Sequence, residues 1–233
     1  MAINLVQHKA NFQTNSSSDT LSITINATGL GNLIIVMSGT NASKTTGSVS
    51  DNATGGSNTY FQVQGAQSTF STGSLTQDMW YAKNSKRGAT TVTITRSPTG
   101  GTSNIYGFVY EVSGMDIISP VVHVANVLNN GTATLTLTGA SVTTKIANTF
   151  IATVAYIQQY ATGIHSGNEF TIGDIQNGNP DAYLIAKNAA PHTAIFDVTP
   201  TGSPYCCSTV AFRGIAKITD MRKHYRRHIQ IGT

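Results

Sequence analysis

The fold is decided by the stretch Asp78-Met79-Trp80-Tyr81-Ala82-Lys83-Asn84, because its order of residue types returns late in the chain as Asp181-Ala182-Tyr183-Leu184-Ile185-Ala186-Lys187-Asn188. Two blocks of β-branched and aromatic residues follow each copy: 89–95 and 105–112 after the first, 193–198 and 209–213 after the second. The join between the blocks repeats as well, as Ser-Pro-Thr-Gly at 97–100 and Thr-Pro-Thr-Gly at 199–202. An echo in this order predicts a duplicated β unit.

The segments before these blocks also correspond between the two halves of the chain. Residues 21–25 and 134–138 alternate between apolar and polar side chains, which is the period of a half-buried strand. The continuous apolar runs 33–37 and 150–157 follow them, and such runs are typical of strands buried on both faces. No helical spacing of apolar residues persists before residue 214, so we predict no substantial helix in the body.

We predict an all-β fold: an antiparallel β-sandwich, jelly-roll or immunoglobulin-like, with a basic C-terminal arm. The sandwich is built from two similar halves at about residues 20–116 and 121–213, with residues 1–213 in a single domain and 214–233 in the arm. One domain is favoured over two tandem immunoglobulin-like domains, because no Pro-rich or charge-rich linker separates the halves around 113–121.

Several segments are predicted to be edges or loops. Residues 1–7 have the character of a short edge strand, and residues 11–19 that of a polar loop. Residues 38–58 are nearly all Gly, Ser, Thr, Asn and Ala, so we expect a loop far longer than the median of about 4–6 residues. Asn129-Asn130-Gly131 is a hairpin signal.

The composition is that of a folded protein kept in solution by hydroxyl and amide groups. Charged residues make up only 10% of the chain, against about 25% in an average domain, and hydrophobic residues make up 39%. No apolar run approaches the roughly 18 residues that span a bilayer, so membrane insertion is not expected. The first residues lack the pattern of a secretory signal, and we therefore expect synthesis in a cytoplasm.

The aromatic and sulfur-bearing residues each have a functional and a structural interpretation. Trp80 could stack on a sugar ring, and Tyr106, Phe108 and Tyr110 share a strand face that could form a binding site, but a place in the core is favoured for all four. Cys206 and Cys207 are adjacent, so their side chains point to opposite faces of a strand. A disulfide between them would strain the backbone, and we expect two reduced thiols that pack in the core.

The carboxylates predict no catalytic centre. Glycan hydrolysis needs two opposed carboxylates, but the chain holds only two glutamates, Glu111 and Glu169. Asp78 and Asp181 occupy equivalent positions of the repeat, which favours a structural role such as capping a turn. Residues 50–58 offer one carboxylate among amide and hydroxyl oxygens, whereas calcium generally takes more than one. With no nucleophile elbow, phosphate loop or zinc-type spacing, we predict no catalytic, cofactor-binding or metal-binding residues and no enzyme.

The basic residues near the C-terminal end form the polar feature with the sharpest composition. Residues 214–233 hold five Lys and Arg against one Asp, which leaves nine basic and nine acidic residues elsewhere and places the net charge of +4 in the arm. Apolar residues recur there at spacings of three and four, as on one face of a helix, and an extended arm fits equally well. We predict docking to an acidic protein subunit through Lys217, Arg222, Lys223, Tyr225, Arg226 and Arg227. Phosphate binding is the alternative, but the body shows no nucleic-acid docking motif, so nucleic acid is not the expected partner.

The run Trp80-Tyr81-Ala82-Lys83-Asn84, the strand at 91–95 and residues 109–116 resemble a β-sandwich domain that recurs in tailed-bacteriophage virion proteins and in large bacterial surface proteins. A buried Leu-rich strand precedes them in that group, as residues 32–36 do here. The chain differs from the group at Lys86-Arg87, where small residues are expected, and in its basic arm. The resemblance covers about residues 20–213 and implies a display or structural module with no catalytic residues to carry over.

The resemblance and the arm together predict a structural protein of a bacteriophage virion. We expect it on the surface of the capsid, as a decoration or cement protein, or on the tail. There it would be docked through its arm to other virion subunits as a homo-oligomer, after synthesis in the host cytoplasm. The alternative is a glycan-binding adhesin or receptor-binding module that takes a host-surface glycan with the 38–58 loop and exposed aromatic residues; fold alone does not separate the two.

Overall fold

The computed structural model of the chain describes residues 2–70, 75–129, 135–157, 160–199 and 204–215. All regular structure in these ranges is β-strand, and none of the residues they contain is helical. The strands pair antiparallel throughout the sheets. The prediction of an all-β, antiparallel fold is therefore confirmed.

The first half of the chain forms two sheets. Its strands are β1 (Asn4–Ser16), β2 (Thr20–Thr24), β3 (Leu33–Thr40), β4 (Thr45–Asp51), β5 (Phe61–Gln62), β6 (Ser68–Phe70), β7 (Leu75–Ala82), β8 (Thr91–Ser97) and β9 (Ser103–Ser113). The larger sheet has the order β1-β9-β3-β7-β5, with β6 also paired to β7, and the smaller sheet has the order β2-β8-β4. In β2, Leu21 and Ile23 are buried while their hydroxyl-bearing neighbours are exposed, as the alternation predicts.

The second half has larger and smaller sheets in the same relation. Its strands are β10 (Val121–Asn129), β11 (Thr136–Thr138), β12 (Val142–Thr143), β13 (Thr149–Ile157), β14 (Tyr160–Ile164), β15 (Thr171–Gln176), β16 (Asn179–Ala186), β17 (Pro191–His192), β18 (Ile195–Thr199) and β19 (Tyr205–Arg213). The larger sheet has the order β10-β19-β13-β16-β15, the smaller has the order β11-β18-β14, and β12 pairs with β17. The order β10-β19-β13-β16 matches β1-β9-β3-β7 strand for strand, and β11-β18-β14 matches β2-β8-β4.

Three apolar cores are present among the described residues. One fills each half between its larger and smaller sheet, and the third lies between the two larger sheets, so that both halves share it. This arrangement explains why β3 is apolar on both faces. Ile34 and Val36 enter the core of the first half, whereas Ile35 and Met37 enter the shared core.

Aromatic rings and a polar link join the halves across the shared core. The ring centroids of Tyr106 and Tyr156 lie 5.2 Å apart. The Gln77 side-chain amide donates a hydrogen bond to the Ser208 hydroxyl at 2.6 Å, and that hydroxyl donates in turn to the Ala66 carbonyl at 2.6 Å. Because Gln77 and Ser208 belong to different halves and both are buried, this link fixes one larger sheet against the other.

Two segments that were predicted to be loops contain strands in the structure. The predicted loop at 11–19 is mostly the continuation of β1, which pairs with β9 as far as Ser16, well beyond the predicted edge strand at 1–7. An edge strand needs backbone partners rather than apolar side chains, so its polar composition concealed it. The predicted loop at 38–58 contains the end of β3 and all of β4, where the Ser38 and Thr46 hydroxyls lie 2.6 Å apart and satisfy each other inside the protein. The hairpin signal at 129–131 lies outside the described residues from 130 onward.

Candidate functional site

The six residues predicted to dock a partner lie outside the described residues: Lys217, Arg222, Lys223, Tyr225, Arg226 and Arg227. The segment that leads to them is described and is held at the junction of the two halves. The Ile215 N–H donates to the Gly114 carbonyl at 2.9 Å, and the Gly214 N–H donates to the Asn148 carbonyl at 3.0 Å. We call Gly214 and Ile215 the root of the arm. This root lies where the connection between the two halves meets the end of β19.

A turn beside this root exposes two isoleucines. The Asp116 carboxylate accepts hydrogen bonds from the N–H groups of Ile118 and Ser119 at 2.7 and 3.0 Å, and it forms an ion pair with Arg213 at 2.9 Å. Burial would raise the pKa of Asp116, but the two N–H donors and the guanidinium outweigh it, so the pKa lies below its usual value. The turn that Asp116 closes leaves Ile117 45% and Ile118 76% exposed.

Lys83 links this turn to an exposed aromatic ring. Its ammonium group donates a hydrogen bond to the Ile118 carbonyl and lies 5.7 Å from the centre of the Phe61 ring, which is 41% exposed. Phe61 in turn contacts Tyr81, with ring centroids 5.7 Å apart. Phe61, Lys83 and Ile118 therefore belong to one continuous stretch of surface.

Arg213 also lines an open cavity of about 420 Å³. Its lining is apolar and cationic: Val122, His123, Thr143, Lys145, Ile146 and Arg213. The His123 ring nitrogen Nδ1 accepts a hydrogen bond from the Thr143 N–H at 2.9 Å, which orients the imidazole. Arg213 joins the cavity to the Asp116 turn, so the two regions form a single surface. We call it the junction surface and define it by Phe61, Lys83, Ile118, Lys145, Ile146 and Arg213.

The aromatic residues lie where the alternation predicts. Trp80 packs against the core of the first half, and Met79, one position earlier in β7, enters the shared core. Tyr106, Phe108 and Tyr110 are buried together in the shared core. The core interpretation is confirmed for Tyr106, Phe108 and Tyr110, whereas Trp80 is partly buried against the core, and none of the four belongs to the junction surface.

The predicted equivalence of Asp78 and Asp181 is wrong in one respect. Their side chains point to opposite faces of their respective sheets, and neither side chain caps a turn. Ala82 lies four positions after Asp78, whereas Ala186 lies five positions after Asp181, and one extra residue in a strand reverses the face. Asp78 points into the first half, where it accepts hydrogen bonds from the Thr46 N–H at 2.9 Å and from two glutamine amides. Asp181 points toward the first half from the second.

Asp181 is fully buried between the two larger sheets. Its carboxylate accepts hydrogen bonds from the Tyr110 hydroxyl and from the Asp174 N–H at 2.7 Å, and His8 Nε2 lies 3.0 Å away. Burial raises the pKa of both Asp181 and Asp78, although their hydrogen bonds act in the opposite direction. Because these donors are protein groups, the two carboxylates stabilise the fold through buried hydrogen bonds.

The two glutamates are not opposed to each other. The Glu111 carboxylate is buried in the first half and accepts hydrogen bonds from the Gln7 amide at 2.6 Å, the Gly29 N–H at 2.7 Å and the Asn32 amide at 2.6 Å. Glu169 belongs to the second half, where its carboxylate lies 2.6 Å from His192 Nδ1. Glu111 thus fastens the segment before β3 to β9.

The oxygen-rich loop at 50–58 is organised around a lysine. The Asp51 carboxylate accepts hydrogen bonds from the Asn58 amide at 2.7 Å and the Tyr60 hydroxyl at 2.8 Å. The Lys86 ammonium donates to the carbonyls of Gly56 and Ser57, each at 3.1 Å. The protein's own cation therefore satisfies these carbonyl oxygens. In the ranges that the structure covers, no three His, Cys, Asp or Glu side chains converge on a common point.

Both cysteines are free and buried on opposite faces of β19, as predicted. Cys206 enters the shared core and Cys207 enters the core of the second half. Burial, with a smaller contribution from Cys207, raises the pKa of the Cys206 thiol to about 12, so the thiol stays protonated near neutral pH.

Comparisons with known proteins found no family model and no curated protein that matches the chain. The part of the chain that the structure describes includes no helix long and apolar enough to cross a bilayer. The protein is an antiparallel all-β protein with an apolar and cationic junction surface. Sequence reasoning missed this surface, because its residues come from five separate segments. The one local signal was the pair Ile117-Ile118 in a connection that otherwise has turn character.

Proposed function

We propose that this chain is a non-enzymatic structural protein of a bacteriophage virion. It stands on the surface of the capsid, as a decoration or cement protein, or on the tail, and it is docked to neighbouring virion subunits through residues 214–233. The observation that carries this proposal is the position of the arm's root. Gly214 and Ile215 are hydrogen-bonded beside the exposed Ile118 turn, so the arm begins next to the junction surface.

The strand order supports a duplicated jelly-roll unit within one domain covering residues 1–213. In the first half, β1, β3, β7 and β9 belong to the larger sheet, while β2, β4 and β8 belong to the smaller one. Successive strands thus cross between two sheets, and the first and last strands pair, which is the wrapping of a jelly roll. The same order in the second half and the shared core favour duplication within a single domain. Jelly rolls are common in viral capsid proteins.

The hydrogen bonds that the buried carboxylates accept support a structural role for the protein. Asp78, Glu111 and Asp181 each accept several hydrogen bonds from protein donors, which hold loops or neighbouring strands in place. A catalytic carboxyl needs access to its substrate and a pKa matched to its task. Asp78 and Glu111 instead serve the packing of the first half, and Asp181 serves the contact between the two halves.

The glycan-binding alternative loses much of its support. About half of the 38–58 segment on which it rested is strand, in the end of β3 and in β4. The exposed aromatic residues Phe12, Phe61 and Tyr160 are also far apart in the topology, since β1 and β5 are opposite edges of one sheet and Tyr160 belongs to a sheet of the other half. At any one site built from the described residues, sugar stacking would depend on a single exposed ring.

Density-gradient centrifugation of intact particles tests the proposal. The chain should sediment with particles at a fixed ratio to the major shell subunit, and it should remain with them when unassembled protein is washed away. An enzyme or a free adhesin would stay in the soluble fractions. Recovery of the chain only there would overturn the proposal.

A further inference from the structure

We infer that the junction surface binds an acidic segment of a partner protein, with an apolar side chain of that segment seated in the cavity between Val122 and Ile146. This inference rests on the proposed function and deepens it, since it names the chemistry of the neighbouring subunit and a second contact besides the arm. The site belongs to the folded body and does not require residues 216–233.

The apolar part of the site is held in a fixed conformation before any partner binds. Two N–H groups and the Arg213 guanidinium hold Asp116, and the Lys83 ammonium holds the Ile118 carbonyl, so the Ile117-Ile118 turn is tied down at both ends. A side chain that is already ordered loses little entropy when it is covered. Exposed isoleucines on an ordered turn, next to an apolar cavity, are therefore suited to contact another protein.

The charges of the site select an acidic partner. Lys145 has no carboxylate partner among the residues that the structure describes, and Lys83 is bonded to a carbonyl rather than to an acid. Asp116 is the one acid in contact with the site's described residues, and Arg213 already neutralises it through Nε. Arg213 also lines the cavity, its side chain is 39% exposed, and a guanidinium carries further N–H groups that can donate to a carboxylate. The result is an excess of positive charge around an apolar centre.

The size and lining of the cavity favour a protein segment over a nucleic acid. Its volume of about 420 Å³ is within the range of roughly 300–1,000 Å³ that is typical of ligand sites. Single-stranded nucleic acid is bound by rows of aromatic side chains on which bases stack, and the apolar residues here are isoleucine and valine, with Phe61 the one exposed ring in this part of the described surface. Aliphatic side chains match Leu, Ile or Met instead.

Selection from a library of short random peptides on the immobilised full-length protein tests this inference. The enriched peptides should be rich in Asp and Glu and should carry a large apolar residue. A synthetic copy of one enriched peptide should bind at least about tenfold more weakly to the Lys145→Glu and Ile118→Asp variants. Lys9→Glu and Leu30→Asp are matched controls, because both residues are exposed and lie outside the junction surface, and they should change the affinity by less than about twofold.

Three outcomes overturn the inference: no enrichment, enriched peptides without an acidic excess, or affinity that the junction variants leave unchanged. A fluorescent oligothymidylate is the nucleic-acid probe, and tighter binding of that probe, lost in Lys145→Glu, would also overturn it. The test is separate from that of the proposed function. Acidic peptides that bind as expected, with a chain that never sediments with particles, would contradict only the virion proposal.

Discussion

The Tyr110 hydroxyl, on β9 of the first half, donates a hydrogen bond to the buried carboxylate of Asp181, on β16 of the second half. His8 and the Asp174 N–H complete the surroundings of that carboxylate. The two halves therefore meet through a specific polar contact at the margin of a large apolar core. A slip of either larger sheet against the other would leave a buried carboxyl without its donors.

Removal of this hydroxyl should destabilise the protein. We expect Tyr110→Phe to lower the free energy of unfolding by about 1–3 kcal/mol, because a buried acceptor loses its donor. Tyr106→Phe is the matched control on the same face of the same strand, since the Tyr106 hydroxyl is buried with no hydrogen-bond partner among the described residues. That variant should be within about 0.5 kcal/mol of the wild type or more stable. Chemical denaturation of both variants measures the difference, and equal losses would contradict the role of the Tyr110 contact.

Two carboxyl groups should make opposite contributions to the pH dependence of stability. The pKa of Asp181 is raised by burial above the ordinary value of 3.8, so its contribution to stability is fully present below pH 3.8 and is lost as the pH rises through the folded pKa. The pKa of Asp116 is lowered, so its contribution is present above pH 3.8 and is lost as the pH falls through the folded pKa.

Denaturation at a series of pH values checks these signs with the variants Asp181→Asn and Asp116→Asn. The stability of the wild type relative to Asp181→Asn should decrease as the pH rises above 3.8, whereas its stability relative to Asp116→Asn should decrease as the pH falls below 3.8. Repeating the Asp181 comparison in a His8→Gln background removes the neighbouring imidazole. Differences that move in the same direction for both variants would disprove the assignment.

Adding a methyl group at Gly39 should destabilise the protein. A Cβ there would lie 2.1 Å from Cζ of Tyr106, whose ring covers the glycine inside the shared core. Gly39→Ala should therefore lower the free energy of unfolding by about 1–3 kcal/mol. Gly163→Ala is the control, since nothing lies within 4 Å of a Cβ at that position. Thermal or chemical denaturation decides, and Gly39→Ala in a Tyr106→Leu background should lose less stability than in the wild type.

Lys86 should order the loop that it bridges. Lys86→Met keeps the length of the side chain but removes the ammonium that donates to the carbonyls of Gly56 and Ser57. We expect faster amide hydrogen exchange in residues 53–58 and unchanged exchange in β7 and β9. Lys9→Met, on an exposed face of β1, is the control. Equal exchange in the loop of wild type and Lys86→Met would show that the lysine does not hold it.

The positions of most strands could be predicted from the sequence, but the way in which the sheets pack face to face could not. Apolar residues on both faces of β3 predicted a doubly buried strand, and the structure assigns one face to the first half and the other to the shared core. The polar strands β4 and the second part of β1 were missed, because small hydroxyl side chains such as Thr46 are satisfied by contacts that no local pattern reports.

Side-chain direction and the junction surface depended on tertiary structure. One extra residue between Asp181 and Ala186 reverses the face of the aspartate, and both segments pair with their central strand without a bulge. Phe61, Lys83, Ile118 and Lys145 come together through packing of segments that are distant in sequence. The basic composition of the arm was visible at once, but the place of its root beside this surface was not.

Incorporation of a truncated chain into particles is the most direct test of docking through the arm. Cells that assemble the particle would carry either the full chain or a variant that ends at Ile215, and purified particles would be quantified for each by mass spectrometry, with circular dichroism confirming that the truncated protein is folded. We predict that the folded, truncated protein is absent from particles while the full chain is present at a fixed ratio to the shell subunit. Equal incorporation of the two would contradict the proposal that residues 216–233 attach this protein to its neighbours.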